Sequence, residues 1–256
     1  MKVNANETLL LGMVVTWLFT PFAYADIKAL RNGALQAEFS IQPGTAPASV
    51  YSELVMGPGV PVTNRLVVVD TSLQQHVVQL DPLQLVFEGP HPLLADLSGD
   101  GFNEVIVVET DKELGASLAV YGVSNDALEK LAQTPFLGKR PQWLSFAGIA
   151  DFDGDTINEI AIVEKPHGGN VVAILELKDN SLVRLAELKG PTNHVEGTDF
   201  FQSALRKCNG RVEILMSDHD WAETIAVWLW EGELKQRALG PFKSLDHLRK
   251  LSSRCD

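Results

Sequence analysis

Short apolar runs recur along the chain, each bounded by turn-forming residues. Val105-Ile106-Val107-Val108, Ile160-Ala161-Ile162-Val163 and Ile214-Leu215-Met216 each follow a glutamate, and the three glutamates stand 55 and 54 positions apart. Runs this short, rich in β-branched residues, predict strands. A second strand follows each: Ser117–Tyr121, Val171–Leu175 and Thr224–Trp230. A third follows those: Leu128–Ala132, Leu182–Glu187 and Leu234–Ala238. Turns at Ser124-Asn125-Asp126, Lys178-Asp179-Asn180 and Glu231-Gly232-Glu233 join the second strands to the third. A shorter version precedes them, with Leu66–Val69, His76–Leu80 and Leu83–Phe87 as its strands, and residues 34–56 can add one or two more. Helical periodicity is confined to a short terminal turn at Leu245–Leu251.

Ile225-Ala226-Val227-Trp228-Leu229-Trp230 is apolar on both its odd and its even positions. A sheet with one wet face alternates polar and apolar residues, so this pattern predicts sheets covered on both faces. Repeated meanders covered on both faces suggest an all-β, β-propeller architecture. Units of about 55 residues predict about four blades, near 34–89, 90–145, 146–198 and 199–256 of a single domain over 26–256. A sandwich-like or solenoid arrangement is the alternative.

The segment before each of the first two glutamates carries the candidate chemistry. Asp96-Leu97-Ser98-Gly99-Asp100-Gly101-Phe102-Asn103-Glu104 and Asp151-Phe152-Asp153-Gly154-Asp155-Thr156-Ile157-Asn158-Glu159 place oxygen side chains at positions 1, 3, 5 and 9. Over 95–109 and 150–164, eight of fifteen residues are identical, so the two loops are copies. Calcium takes six to eight oxygen ligands at about 2.3–2.6 Å, and alternate oxygens on a glycine-bent loop can supply them. The backbone carbonyls of Phe102 and Ile157 fit position 7, leaving those side chains free to point into the core. An EF-hand would need a glutamate at position 12 and flanking helices, whereas position 12 here is Val107 or Ile162 inside a strand. Two Ca2+ sites are expected. The 151–159 loop should be the stronger, with four carboxylates against three plus the Ser98 hydroxyl. In the 199–256 unit, Asp199 and Glu213 lie too far apart to form a third.

These loops and their following strands resemble the FG-GAP/VCBS-type repeat family, the propeller repeats also found in integrin α subunits. The matching stretches are Asp96–Val108 and Phe146–Val163, with Thr156 standing where the pattern has glycine and the literal Phe-Gly and Gly-Ala-Pro elements missing. The resemblance implies calcium at Asp96, Ser98, Asp100 and Glu104, and at Asp151, Asp153, Asp155 and Glu159. The wider pattern is similar to small exported bacterial members of the family.

Residues 1–25 read as a secretory signal, with an apolar stretch from Leu9 to Phe19 and a small-x-small site at Ala23-Tyr24-Ala25. No later segment suits a membrane anchor, so the mature chain is expected in the periplasm or secreted. The whole chain carries 21 basic and 33 acidic residues, a net charge of −12, which opposes nucleic acid. Cys208 and Cys255, the only two cysteines, are expected to form a disulfide in an oxidising compartment.

No phosphate loop, nucleophile elbow or zinc-protease helix occurs, and no catalytic residue is assigned. His219, between Asp218 and Asp220, suits a solvated turn better than a metal ligand. His194 suits a satisfied structural position, and His167 suits a loop. Trp228 and Trp230 suit a strand core. Lys139-Arg140-Pro141-Gln142-Trp143 is a basic–aromatic cluster. It can grip an anionic ligand or glycan, or be a rim loop with Trp143 tucked between sheets. The expected function is non-enzymatic: a structural-calcium module that binds a protein or other envelope macromolecule. The alternative is a hydrolase or lyase acting on a phospho- or glyco-substrate at the loops of one propeller face.

Overall fold

A computed structural model describes residues 36–40, 62–124, 127–138 and 142–255. The signal segment 1–25, the loop at 43–47, the turn residues Asn125 and Asp126, and the cluster residues Lys139 and Arg140 lie outside them.

Among the described residues the strands form four antiparallel sheets, each a meander in chain order. Sheet one is β1 (Gln36–Ser40), β2 (Arg65–Val69) and β3 (Gln75–Gln79). Sheet two is β4 (Leu85–Ala95), β5 (Glu104–Asp111), β6 (Gly115–Ser124) and β7 (Ala127–Gln133). Sheet three is β8 (Leu144–Ala150), β9 (Glu159–Glu164), β10 (Val171–Lys178) and β11 (Ser181–Lys189). Sheet four is β12 (Ala204–Cys208), β13 (Arg211–Ser217), β14 (Glu223–Trp230) and β15 (Glu233–Pro241). Among the described residues one helix, α1 (Leu245–Ser252), follows.

One strand is placed differently from expectation. Leu83–Phe87 does not close the first unit; from Leu85 it begins β4, which pairs with β5 from Leu85↔Asp111 to Ala95↔Glu104. Its first half still ties the two sheets together. Phe87 exchanges backbone hydrogen bonds of 3.2 and 2.7 Å with Thr63, and its ring stacks on Phe39 at 5.4 Å. A strand serving two sheets blurs the unit boundary that the hydrophobic pattern suggests.

The doubly apolar strands are explained by face-to-face packing. In β9, Ile160 and Ile162 join Ile106, Val108 and Leu118 of sheet two, while Ala161 and Val163 join Ile214, Met216 and Val227 of sheet four. In β5, Val105 and Val107 turn the other way, to Leu66 and Val68 of sheet one. Successive residues of a strand point to opposite faces, so each central strand contributes to two cores. Each buried Val, Leu or Ile contributes about 1.5–3 kcal/mol.

The far face of sheet four is covered by α1. Leu248 and Leu251 pack on Ala204, Leu215 and Ala226, with Leu239 and Phe242 alongside. Ser244 caps the helix by accepting from the His247 N–H at 3.2 Å, and Asp246 in the first turn suits the helix dipole. The Cys208–Cys255 disulfide, with Cα atoms 5.5 Å apart, ties the chain beyond the helix to β12. Closing the four sheets into a ring would seat sheet one on this face; among the described residues its apolar cluster holds α1 and no residue of sheet one. Among the described residues no helix is long and apolar enough to cross a membrane.

Candidate metal centre

The two acidic loops join the first two strands of sheets two and three, running from β4 into β5 and from β8 into β9. Both are organised by their own carboxylates. Asp96 accepts from the N–H groups of Gly99 at 2.7 Å and Gly101 at 2.9 Å. Asp151 accepts from Gly154 at 2.6 Å and Thr156 at 3.2 Å. Asp100 accepts from Phe102 and Asp155 from Ile157, each at 2.8 Å. The closing glutamates reach back in the same way, Glu104 to the Leu97 N–H and Glu159 to the Phe152 N–H, both at 2.7 Å. The shared sequence pattern gives a shared set of backbone-to-carboxylate hydrogen bonds. The turns require left-handed backbone at Gly99, Gly101 and Gly154, and at Thr156, whose φ of 81° occupies the place held by Gly101 in the other loop.

The loops differ in what their side chains assemble. In the 151–159 loop, Asp151, Asp153, Asp155 and Glu159 bring one oxygen each within 4.8 Å of one another. An all-oxygen set of this kind suits a hard divalent cation. Glu159 is 1 % exposed and its Oε1 has no hydrogen-bond partner, so a buried oxygen is left for a cation. Burial pushes its carboxyl up to about 7 against the Phe152 hydrogen bond, and the negative charges of Asp153, Asp155 and Asp151 add to the rise. Asp96, Asp100 and Glu104 are not gathered in this way. Burial raises Glu104 too, but hydrogen bonds from Leu97 and Ser98 oppose it. Ser98, in the place of Asp153, thus satisfies the glutamate instead of adding a charge.

The loops also touch each other. Asn158 donates to the Asp96 carbonyl at 3.0 Å, and a Cβ on Gly99 would meet Ile157 at 3.4 Å. The candidate centre therefore sits at a junction of sheets two and three. Phe102 does not enter the core; it is 58 % exposed, and Ile157 is half-buried. The loop's core contact is position 2, where Leu97 and Phe152 are buried. The sequence reading missed these two, although both loops are apolar there.

Glu213, the position-9 residue of sheet four, has a different partner. Its loop is cut to the two-residue turn Asn209-Gly210, with φ of 52° and 79°. Glu213 is fully buried and held by Arg206 at 2.8 Å and Arg211 at 2.9 Å, with Arg237 at 3.5 Å. Burial pushes its carboxyl up, but the hydrogen bonds from Arg206 and Arg211 and the charges of Arg206 and Arg237 outweigh that and hold it below the usual range. Guanidinium groups stand here where a cation would. Asp199 is exposed and takes no part.

The remaining candidates separate. Trp143 is 2 % exposed and packs in the core between sheets two and three, so it is no open stacking platform. Trp228 carries the Arg211 guanidinium 4.1 Å above its ring, while Trp230 is 52 % exposed and so not core. His219 pairs its Nδ1 with the Asn170 amide at 2.9 Å. His194 is buried and hydrogen-bonds His167 at 2.7 Å, a contact the sequence pattern does not reveal. No family model matches the chain, and no curated protein matches it.

Proposed function

We propose that the protein is an exported, calcium-stabilised repeat protein whose role is to bind a protein or other envelope macromolecule. The observation that carries the metal reading is the four-carboxylate cluster at Asp151, Asp153, Asp155 and Glu159, with a buried, unpartnered Glu159 oxygen within it. The ion is structural: it binds the folded loop, relieves the repulsion among four acids and braces the contact between sheets two and three. The loop at Asp96, Ser98, Asp100 and Glu104 is a second, weaker site. The reading keeps the FG-GAP/VCBS-type resemblance, with the sheets as blades and α1 taking the place of the contact that would close a ring. Export is supported by the residue 1–25 pattern and by the Cys208–Cys255 bridge, which suits an oxidising compartment.

Affinity capture from envelope extract tests the binding role, using wild type in calcium, wild type in chelator, and Asp153→Ala in calcium. A defined partner held by the first and lost by the other two supports it. Absence of any calcium-dependent partner contradicts it.

A further inference from the structure

The turn between β9 and β10 departs from its counterparts. In sheet two the matching turn is capped by Asp111, which accepts from the N–H groups of Glu113 and Leu114. In sheet four Asp218 does the same for Ala222 and Glu223. Sheet three has Lys165-Pro166-His167-Gly168-Gly169 instead, with no capping carboxylate. Lys165 is held at a left-handed φ of 54°. Its N–H donates to the Trp143 carbonyl at 2.8 Å, and its own carbonyl accepts from Gly168 and Asn170. Thr192 fastens the turn by donating to the Pro166 carbonyl at 2.8 Å. A non-glycine residue fixed there by several contacts marks a position maintained against strain.

This turn walls a cleft of about 260 Å³ with Gln142, Trp143 and Glu196. Two of its groups have hydrogen-bonding capacity open to a ligand. The Trp143 Nε1–H has no partner either, but it is buried, so Trp143 serves as a reporter in the cleft wall. Lys165 forms no ion pair among the described residues. The second group is one nitrogen of His167, and its state follows from its neighbours. His194 Nε2 lies 3.0 Å from the Thr198 carbonyl, which can only accept, so the proton of neutral His194 is on Nε2. His194 Nδ1 is then an acceptor and receives the Nε2–H of His167 at 2.7 Å. His167 Nδ1 is left as a lone pair on an exposed ring that lines the cleft. Desolvation by neighbouring groups lowers both imidazoles, with nearby Glu196 partly opposing this at His167 and the Thr198 contact opposing it at His194, so both shifts favour the neutral rings.

One ammonium and one acceptor nitrogen form a mixed set. We propose that this cleft binds a small oxyanion that carries a hydroxyl: the anionic oxygens meet Lys165, and the hydroxyl donates to His167 Nδ1. Hydrogen phosphate and a hydroxy-carboxylate share that chemistry. Sulfate matches phosphate in shape but has no proton to give at neutral pH, and Glu196 on the rim further disfavours a fully deprotonated anion.

The test is two-dimensional ¹H–¹⁵N NMR of the full mature chain in calcium-free buffer at pH 7, following the Trp143 indole and His167 ring signals. Phosphate, sulfate, glycolate and acetate are titrated separately. The expected result is saturable shifts of both signals with phosphate or glycolate, weaker binding of sulfate than of phosphate, and weaker binding of acetate than of glycolate. The tighter of phosphate and glycolate identifies the source of the ligand. Lys165→Gly, which suits the left-handed backbone, should weaken binding about tenfold or more by removing one charge-assisted hydrogen bond. Lys112→Gly, in the matching turn of sheet two, should leave it unchanged. Absence of saturable shifts, sulfate binding as tightly as phosphate, or unchanged binding in Lys165→Gly overturns the proposal.

Discussion

Glu159→Gln should reverse the effect of calcium on stability. Glu159 keeps one oxygen on the Phe152 N–H at 2.7 Å and leaves the other buried without a partner beside three aspartates. Without metal, a buried unpartnered polar atom costs about 1–3 kcal/mol. Glutamine preserves the bond to Phe152, and its amide can donate to an aspartate that the carboxylate repelled. Metal-free Glu159→Gln should therefore be more stable than wild type by about 1–2 kcal/mol, which raises Tm by about 2–6 °C for a chain of this size. With calcium at about a hundred times Kd, wild type should gain about 2.7 kcal/mol by mass action. The variant, lacking the charge that closes the site, should gain little, so the two melting curves exchange order. Differential scanning calorimetry with chelator and then with calcium reads both halves. If the variant is less stable without metal, or gains as much from calcium as wild type does, Glu159 is not the closing ligand.

Thr156→Gly places a permissive residue at a φ of 81°. Relief of strain, partly offset by the entropy of an unfolded glycine, should stabilise by about 1 kcal/mol in a denaturant melt, and a destabilised variant would contradict this. Arg206→Met leaves buried Glu213 short of a guanidinium and should cost about 3–5 kcal/mol in the same melt; a loss near zero would show that Arg211 and Arg237 suffice. Acid should act through His194. Burial holds it at about 4 against the Thr198 contact, with His167 adding to the depression, whereas the unfolded residue titrates near 6.5. Its contribution is full above pH 6.5 and is lost as pH falls towards 4, by at most about 3 kcal/mol. The difference between wild type and His194→Gln isolates it from Glu159, whose raised carboxyl has the opposite sign; parallel pH profiles would contradict the assignment.

Much of the fold could be read from the chain because its two signals are local. Strands such as Val105–Val108 and Ile160–Val163 declare themselves by β-branched runs, and their doubly apolar pattern anticipated sheets packed on both faces. The carboxylates of the 151–159 loop were legible for the same reason, although the same spacing does not gather Asp96, Asp100 and Glu104. What failed depends on distant partners. Leu85 could belong to either sheet until its pairing with Asp111 decided it. Loop geometry alone leaves position 7 free to point inward, yet Phe102 faces solvent and Leu97 fills the core. The arginines around Glu213 come from β12, β13 and β15, and the His167–His194 contact spans 27 residues. Such contacts are products of sheet stacking and leave no periodic trace.

The most direct measurement is isothermal titration of calcium into chelator-stripped protein, repeated with Asp153→Ala and Asp100→Ala. A strong site lost only in Asp153→Ala, with any weaker site lost in Asp100→Ala, is the predicted result. No calcium heat in wild type, or an unchanged isotherm in Asp153→Ala, would contradict a metal centre at the junction of sheets two and three.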